Sequence, residues 1–168
     1  MLHGLPVWGI GLDRVHLGRE GTGGGPRSRH LHLHVSRLPA EEVVVVDGLA
    51  VTPVAETVCA LARTVPFEPA VAVADSALHH RLTTPDDLAA AVERCAGLRG
   101  VAAAARVVAS ADGLAESVGE SRSRVAIARA GLAAPVLQVP LHALDGRPLG
   151  RGDFGCPSTT RSGSSTVW

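Results

Sequence analysis

The spacing of apolar residues changes twice along this chain, and that change constrains the fold more than any other feature. Up to residue 51 the apolar residues alternate or form short runs, over Leu12–Leu17, His30–Val35 and Val43–Val46. From residue 52 to about 130 they follow the helical period, and after Pro135 the alternation returns. The pattern predicts an α+β fold, with short N-terminal strands, a helical middle and a final strand pair.

The strands carry turn signals between them. The glycine-rich stretch 18–29 predicts a flexible hairpin connection between the first two strands. Val43–Val46 is β-branched throughout, which predicts a buried strand. Asp47-Gly48 and Asp145-Gly146 are hairpin signals, so we expect two further hairpins.

Five helices are predicted in the middle of the chain. Thr52-Pro53 predicts a helix start, and Thr84 with Asp87 three residues later forms a capping box. Gly131 predicts the end of the last helix. The first predicted helix runs from about 52 to 61 or 65, and the others cover about 66–81, 85–95, 99–111 and 115–130.

The charge balance excludes proteins that coat polyanions. Sixteen basic residues, all of them Arg, offset 16 acidic ones, so the net charge is zero. Aromatic residues make up 2% of the chain, which is too few for stacking platforms that bind single-stranded nucleic acid. Hydrophobic residues make up 46%, enough to build a core from Val, Leu and Ala.

The sequence contains neither the features of a targeting signal nor the cysteine spacing of a disulfide framework. The N-terminus lacks the cationic start and apolar run of a signal peptide, and no stretch has the roughly 18 apolar residues of a membrane span. We therefore expect a cytoplasmic protein without membrane contact. Cys59, Cys95 and Cys156 form no CxxC pair, and we expect Cys59 and Cys95 to be small buried residues.

Several polar clusters have both a functional and a structural interpretation. His30, His32 and His34 share one strand face but lie about 7 Å apart, which favours a solvated face over a zinc site. Another cluster consists of Asp75, His79 and His80, for which a structural role at the surface end of a helix is favoured over a functional one. Three arginines are suited to a phosphate backbone, but nearby glutamates favour a solvated face for Arg122, Arg124 and Arg129.

The C-terminal third carries a resemblance to a known family. The relevant residues are Glu116 to Arg124, Ala130-Gly131-Leu132, Pro135, Gln138-Val139, Asp145-Gly146-Arg147 and Gly152-Asp153-Phe154. This segment, about 115–155, resembles the start of actinobacterial domains allied to very-short-patch-repair (Vsr) endonucleases, which have the PD-(D/E)xK restriction-endonuclease-like fold. The resemblance implies an incomplete helix–strand–strand remnant of that fold.

The same resemblance assigns the candidate site residues. Asp153 matches the metal-binding Asp of the family, and Glu120 matches its helical Glu. In complete relatives such carboxylates hold Mg²⁺, which activates water for phosphodiester hydrolysis. The family's third-strand acidic residues have no counterpart here, and Gly152 stands where an aliphatic residue is common.

The upstream part is similar to the C-terminal portion of AbiEi-type antitoxins of type IV toxin–antitoxin systems. The matching residues are Leu2 to Trp8, Asp47 to Pro53 and Asp75 to Leu78. In that family a DNA-binding winged helix precedes the His-Gly-Leu-Pro segment, with which this chain begins. We therefore expect an antitoxin-like region over 1–112, with its winged helix missing, and an endonuclease-like region over 113–155.

Residues 156–168 have no hydrophobic period, and we expect a disordered tail read in a shifted frame. One back-translation, shifted by two bases, encodes Pro-Glu-His-His-Thr-Val-Gly-Glu-Phe-Asp-Gly-Val, which contains the missing acidic pair. Three functions remain open. The chain is a truncated endonuclease-like protein without its own activity, an antitoxin-like regulator that contacts a toxin partner, or a relic without function. DNA is a partner by resemblance alone.

Overall fold

The computed structural model describes residues 2–20, 29–36 and 38–155. These residues contain five α-helices and three pairs of short strands, which confirms the α+β prediction. The chain divides into two compact units, Met1–Ser121 and Arg122–Trp168. The predicted tail, 156–168, lies outside the described residues.

The first two strands are parallel. β1 is Val15–Glu20 and β2 is Leu31–Ser36, and they pair in register from Val15 with Leu31 to Glu20 with Ser36. The prediction of a hairpin connection through 18–29 is therefore wrong, because a hairpin joins antiparallel strands. The glycine-rich composition indicated a flexible connection, but it carried no information about strand direction.

The second strand pair is a hairpin, as the Asp47-Gly48 signal predicts. β3 (Val44–Val46) pairs antiparallel with β4 (Leu49–Val51). Asp47 and Gly48 both have positive φ, 50° and 78°, as a type I′ turn requires. The predicted burial of the valine run is wrong, since Val45 is 72% exposed. In the described residues this sheet has two strands, so the β-branched run reflects strand propensity and not burial.

The five helices lie close to the predicted ranges. A short 3₁₀ helix, Ala40–Glu42, precedes β3. The α-helices are α1 (Val54–Ala62), α2 (Phe67–His79), α3 (Pro85–Arg94), α4 (Val101–Ser110) and α5 (Val118–Arg129).

The core of the first unit lies among the first four helices. α1 packs against α2, α3 and α4, and α4 also packs against α2 and α3. Small side chains from every helix allow this close approach. The largest fully buried apolar side chains are Leu88, Val58, Val71, Val73, Val107 and Cys59.

The helix starts show one confirmed cap and one displaced cap. At α3, Thr84 accepts a hydrogen bond from the Asp87 backbone while the Asp87 carboxylate accepts one from the Thr84 backbone, as predicted. At α1 the N-cap is Pro53, which has no capping side chain. Thr52 was expected in that role, but its hydroxyl pairs with the hydroxyl of Thr57 at 2.7 Å.

The second unit contains most of α5 and a β-hairpin. β5 (Val136–His142) pairs antiparallel with β6 (Pro148–Gly155) around the Asp145-Gly146 turn, as predicted. The division between the units falls after Ser121, inside α5, whereas the sequence predicts a domain boundary at 112.

None of the helices in the part of the chain that the structure describes has the length and hydropathy of a membrane span.

Candidate functional site

Asp153 lies on β6, two residues before the strand ends. The neighbouring strand pairs are Leu137 with Phe154 and Val139 with Gly152, so Asp153 is at the same level as Gln138. Its side chain is exposed. The hairpin therefore presents this carboxylate to solvent near its open end.

The backbone opposite Asp153 is irregular. Gln138 has a φ of 54°, in the left-handed region that a non-glycine residue in a strand rarely adopts. Such conformations cost of order 1–3 kcal/mol and persist where surrounding contacts impose them. The strain lies on the strand facing Asp153, beside the residue that the sequence singles out.

Glu120 has a structural role at the start of α5. Its backbone N–H donates to the Ser117 hydroxyl at 3.2 Å. Its carboxylate accepts from the Ser117 hydroxyl at 2.8 Å and from the Glu116 backbone N–H at 3.0 Å. Ser117 and Glu120 thus form a reciprocal cap at the start of α5, in which the Glu120 carboxylate accepts from the backbone N–H of Glu116 and not from that of Ser117, so each carboxylate oxygen has one donor.

The two candidate metal ligands belong to different units, Glu120 to the first and Asp153 to the second. Among the residues that the structure describes, no group of three or more His, Cys, Asp or Glu side chains is placed to hold a metal ion. Catalytic Mg²⁺ in phosphodiester hydrolysis requires clustered oxygen ligands. The described residues therefore do not fit a complete Mg²⁺ site, and the assignment of Asp153 and Glu120 remains a prediction.

A pocket of about 250 Å³ lies in the first unit. The N-terminal segment contributes Gly4 and Pro6, Ser76 lies on α2, His80 directly follows α2, and Glu116 and Ser117 precede α5. The polar residues of the lining are serines, one histidine and one glutamate, which suit hydrogen bonding to a small polar molecule. Each of these residues lies in a segment that the sequence singles out, but the sequence does not show that these segments meet, because the pocket forms between parts of the chain that are far apart.

The residues around His79 differ from the sequence prediction. Asp75 was expected on the surface, but it is fully buried, and its Oδ1 accepts a 2.7 Å hydrogen bond from the Asp112 backbone N–H. His79 Nδ1 donates to the Gly113 carbonyl at 3.2 Å, and His80 is exposed. Asp75 and His79 therefore hold the α4–α5 connection against α2.

The sequence predicts solvated faces for the histidines near β2 and for the arginines of α5. The rings of His32 and His16, which face each other across β1 and β2, have centroids 5.3 Å apart. His30 is exposed, and the side chain of His34 lies outside the described residues. On α5, Arg122 and Arg129 are exposed, as a solvated face predicts. For Arg124 the prediction is wrong, because that residue is half-buried and its Nε atom is buried.

Cys59 and Cys95 are both buried, as predicted, but they are also in contact. The two Sγ atoms lie 3.4 Å apart, and the Cys59 thiol can donate its hydrogen bond to the Cys95 sulfur or to the Ala91 carbonyl oxygen at 3.6 Å. Arg63 Nη1 lies 3.9 Å from the Cys95 sulfur. No sequence pattern predicts this pair, because 36 residues separate the two cysteines and only helix packing brings them together.

Comparison with known proteins identifies relatives of this chain but no activity. No family model and no solved structure matches it. Two relatives are the "Uncharacterized protein MT2308" of Mycobacterium tuberculosis strain CDC 1551 / Oshkosh and the "Uncharacterized protein Rv2248" of strain H37Rv. Each is 36% identical over 112 residues, which is 67% of this chain and 41% of the relative. The chain thus matches less than half the length of these relatives.

Proposed function

We propose that the second unit is the remnant of a PD-(D/E)xK endonuclease-like domain of the Vsr-related kind, and that this chain does not itself hydrolyse DNA. The observation that carries the proposal is the order of α5, β5 and β6. A helix is followed by an antiparallel strand pair, and Asp153 lies close to the end of the second strand. This is the arrangement that the family resemblance implies for residues 115–155.

The lack of activity follows from the ligands available to a metal ion. In the described residues, Asp153 does not belong to any group of three or more His, Cys, Asp or Glu side chains that could hold a metal ion. The Glu120 carboxylate accepts hydrogen bonds from Ser117 and Glu116, so recruiting it would cost α5 part of its cap. One exposed carboxylate holds Mg²⁺ too weakly to position water and phosphate together.

Nicking of supercoiled plasmid DNA in Mg²⁺ tests this proposal. We expect the chain to nick no faster than its Asp153→Ala variant. A second protein carries the shifted-frame sequence, Pro-Glu-His-His-Thr-Val-Gly-Glu-Phe-Asp-Gly-Val, in place of residues 156–168. We expect it to gain Mg²⁺-dependent nicking, which Asp153→Ala abolishes.

Asp145→Ala is the matched control, because Asp145 is an exposed acid in the turn of the same hairpin. It should leave any nicking unchanged. Asp153-dependent nicking by the unaltered chain would contradict the lack of activity. Failure of the extended protein to nick DNA would contradict the endonuclease-like origin.

A second candidate is a regulator that acts by protein contact, as AbiEi-type antitoxins do. It is favoured by the large apolar side chains that the second unit exposes, of which Leu144 is 96% and Leu149 59% exposed. Such side chains mark interaction surfaces when they lie together. The partner would be a toxin-like nucleotidyltransferase encoded by a neighbouring gene.

Calorimetric titration with that nucleotidyltransferase separates the two candidates. A regulator binds the toxin and loses affinity at least tenfold when Leu144 and Leu149 are both changed to Asp. Leu82→Asp, at an exposed position in the first unit, is the control and should bind normally. Absence of binding by the unaltered chain contradicts the regulator function.

A further inference from the structure

We propose that Cys59 and Cys95 are a reversible oxidation site, which a small-molecule disulfide converts into an intramolecular disulfide between α1 and the end of α3. The site lies in the first unit. It does not depend on the function proposed for the second unit.

The distance between the sulfurs supports this step. Cys59 Sγ and Cys95 Sγ are in van der Waals contact at 3.4 Å, and a disulfide bond needs about 2.05 Å. Cys95 is the first residue after α3, which ends at Arg94. The two sulfurs must therefore approach each other by little more than one ångström. Cys95 can make this movement at the end of α3, so no interior turn of that helix has to shift.

The charges around the pair distinguish the two thiols. The Cys59 thiol donates a hydrogen bond to Cys95, and this bond, followed by the positive charge of Arg63, lowers the pKa of Cys95 despite its burial and the nearby Glu56. The same hydrogen bond and burial raise the pKa of Cys59. Arg63 is held in place, since its Nε donates to the Arg99 carbonyl at 2.9 Å. These contacts favour Cys95 over Cys59 as the thiolate of the pair.

Access to solvent gives the same assignment. Cys95 retains 7% of its surface, whereas Cys59 is completely buried. A small disulfide reaches the Cys95 sulfur first, and Cys59 meets an oxidised sulfur only through Cys95. Cys95 is the attacking thiol, and Cys59 is the resolving thiol.

The reaction is two thiol–disulfide exchanges. The Cys95 thiolate attacks one sulfur of the small disulfide, forms a mixed disulfide and releases one small thiolate. Cys59 then loses its proton to solvent, attacks the Cys95 sulfur and expels the second small thiolate. The two cysteine sulfurs are oxidised and the small disulfide is reduced. The two small thiolates released take up the proton that Cys59 loses and one proton from solvent, which balances the proton that Cys95 lost when it ionised.

The mixed disulfide also favours the second exchange. The largest cause of the raised Cys59 pKa is its hydrogen bond to the Cys95 sulfur. That cause weakens once Cys95 no longer carries a negative charge. Cys59 then forms its thiolate more readily than in the reduced protein.

Peptide mapping by mass spectrometry after incubation with oxidised glutathione tests the proposal. In the folded chain, and in a Cys156→Ser variant that removes the third thiol, we expect a Cys59–Cys95 linked peptide that dithiothreitol reverses. Cys59→Ser should accumulate glutathione on position 95. Cys95→Ser should leave Cys59 unmodified until denaturant is added.

The contribution of Arg63 is tested by the pH profile of iodoacetamide alkylation. Arg63→Gln should slow alkylation of Cys95 at pH 7 by about threefold or more and move the midpoint toward the ordinary thiol value of about 8.5. Arg99→Gln, which removes a neighbouring charge but keeps the carbonyl that binds Arg63, should change neither.

Three results would overturn the proposal. In the first, glutathione labels Cys59 and Cys95 equally, and only after unfolding. In the second, a folded Cys59→Ser variant, checked by circular dichroism, takes up no glutathione on Cys95. In the third, oxidation of the unaltered chain links Cys95 to Cys156 and leaves Cys59 reduced.

Discussion

The buried carboxylate of Asp75 accepts a 2.7 Å hydrogen bond from the backbone N–H of Asp112. Asp75 is fully buried on α2, and Asp112 is two residues beyond the end of α4. A partly buried backbone N–H that loses its acceptor incurs the cost of its lost hydration, so this hydrogen bond contributes to stability. This bond therefore fixes where the chain leaves the helical core on its way to α5.

We expect Asp75→Ala to lower the free energy of unfolding by about 2 kcal/mol, because the Asp112 N–H loses its acceptor. Asp75→Asn keeps a neutral acceptor of the same shape and should cost less. Urea unfolding followed by circular dichroism measures both. Asp13→Ala, at a surface side chain that is 73% exposed, is the control. A cost for Asp75→Ala as small as that control would contradict this role.

The ion pair between α1 and α3 gives a second prediction. Arg94 Nε lies 2.6 Å from Oε1 of Glu56, whose residue is 7% exposed. Arg94→Met leaves that carboxylate without its cation, and we expect it to lower the free energy of unfolding by about 2 kcal/mol. This is less than the roughly 3–5 kcal/mol lost when a fully buried pair is broken, because Arg94 is partly exposed.

The double variant Glu56→Leu, Arg94→Met removes both charges and should recover most of that loss, to within about 1 kcal/mol of the original protein. A double-mutant cycle in urea measures the coupling. Purely additive costs would show that the two side chains do not stabilise each other.

The elements predicted well are those whose signals are local. The Thr84 and Asp87 capping box and the Asp47-Gly48 turn depend on residues at most three apart, and the structure places both as predicted. The parallel direction of β1 and β2 and the exposure of Val45 depend on which segments lie alongside. Alternation within one strand gives no information about its neighbours.

The candidate site residues also fall into those that local sequence predicts and those that only helix packing brings together. Asp153 was singled out by resemblance, and its place near the end of β6 follows from the predicted hairpin. The contact between Cys59 and Cys95 and the burial of Asp75 arise from helix packing across more than 30 residues. No periodicity in one sequence indicates which helices pack together.

The tight approach of Gly100 to the end of α1 gives a third prediction. Gly100 has a φ of 84°, and a Cβ there would collide with the Arg63 carbonyl oxygen. Gly97 has a φ of 77° with open space around it, which makes it a matched control. Gly97→Ala should cost about 1–2 kcal/mol from backbone strain alone.

Gly100→Ala carries the same strain and must also push α1 and α4 apart, so we expect a cost larger by at least about 2 kcal/mol. Thermal and urea unfolding of the two variants, side by side, measure the difference. Equal costs would mean that the backbone around Arg63 moves away freely and that the contact does not constrain the helices.

The capping box of α3 predicts how stability depends on pH. Hydrogen bonds from the Thr84 hydroxyl and then from its backbone N–H lower the pKa of Asp87. A carboxyl whose pKa is lower in the folded protein stabilises it fully above the unfolded value, about 3.9 for Asp, and less as the pH falls through the folded pKa. Asp87→Asn keeps the shape but does not titrate.

The difference in melting temperature between the original protein and Asp87→Asn should therefore be constant above about pH 5 and shrink as the pH falls below it. Calorimetric scans between pH 2 and pH 7 measure this difference. Asp86→Asn removes a charge from the same helix end without altering the capping box, and it controls for the interaction of any carboxylate with the helix dipole. A difference that does not change with pH would show that the Asp87 charge adds nothing to its hydrogen bonds with Thr84.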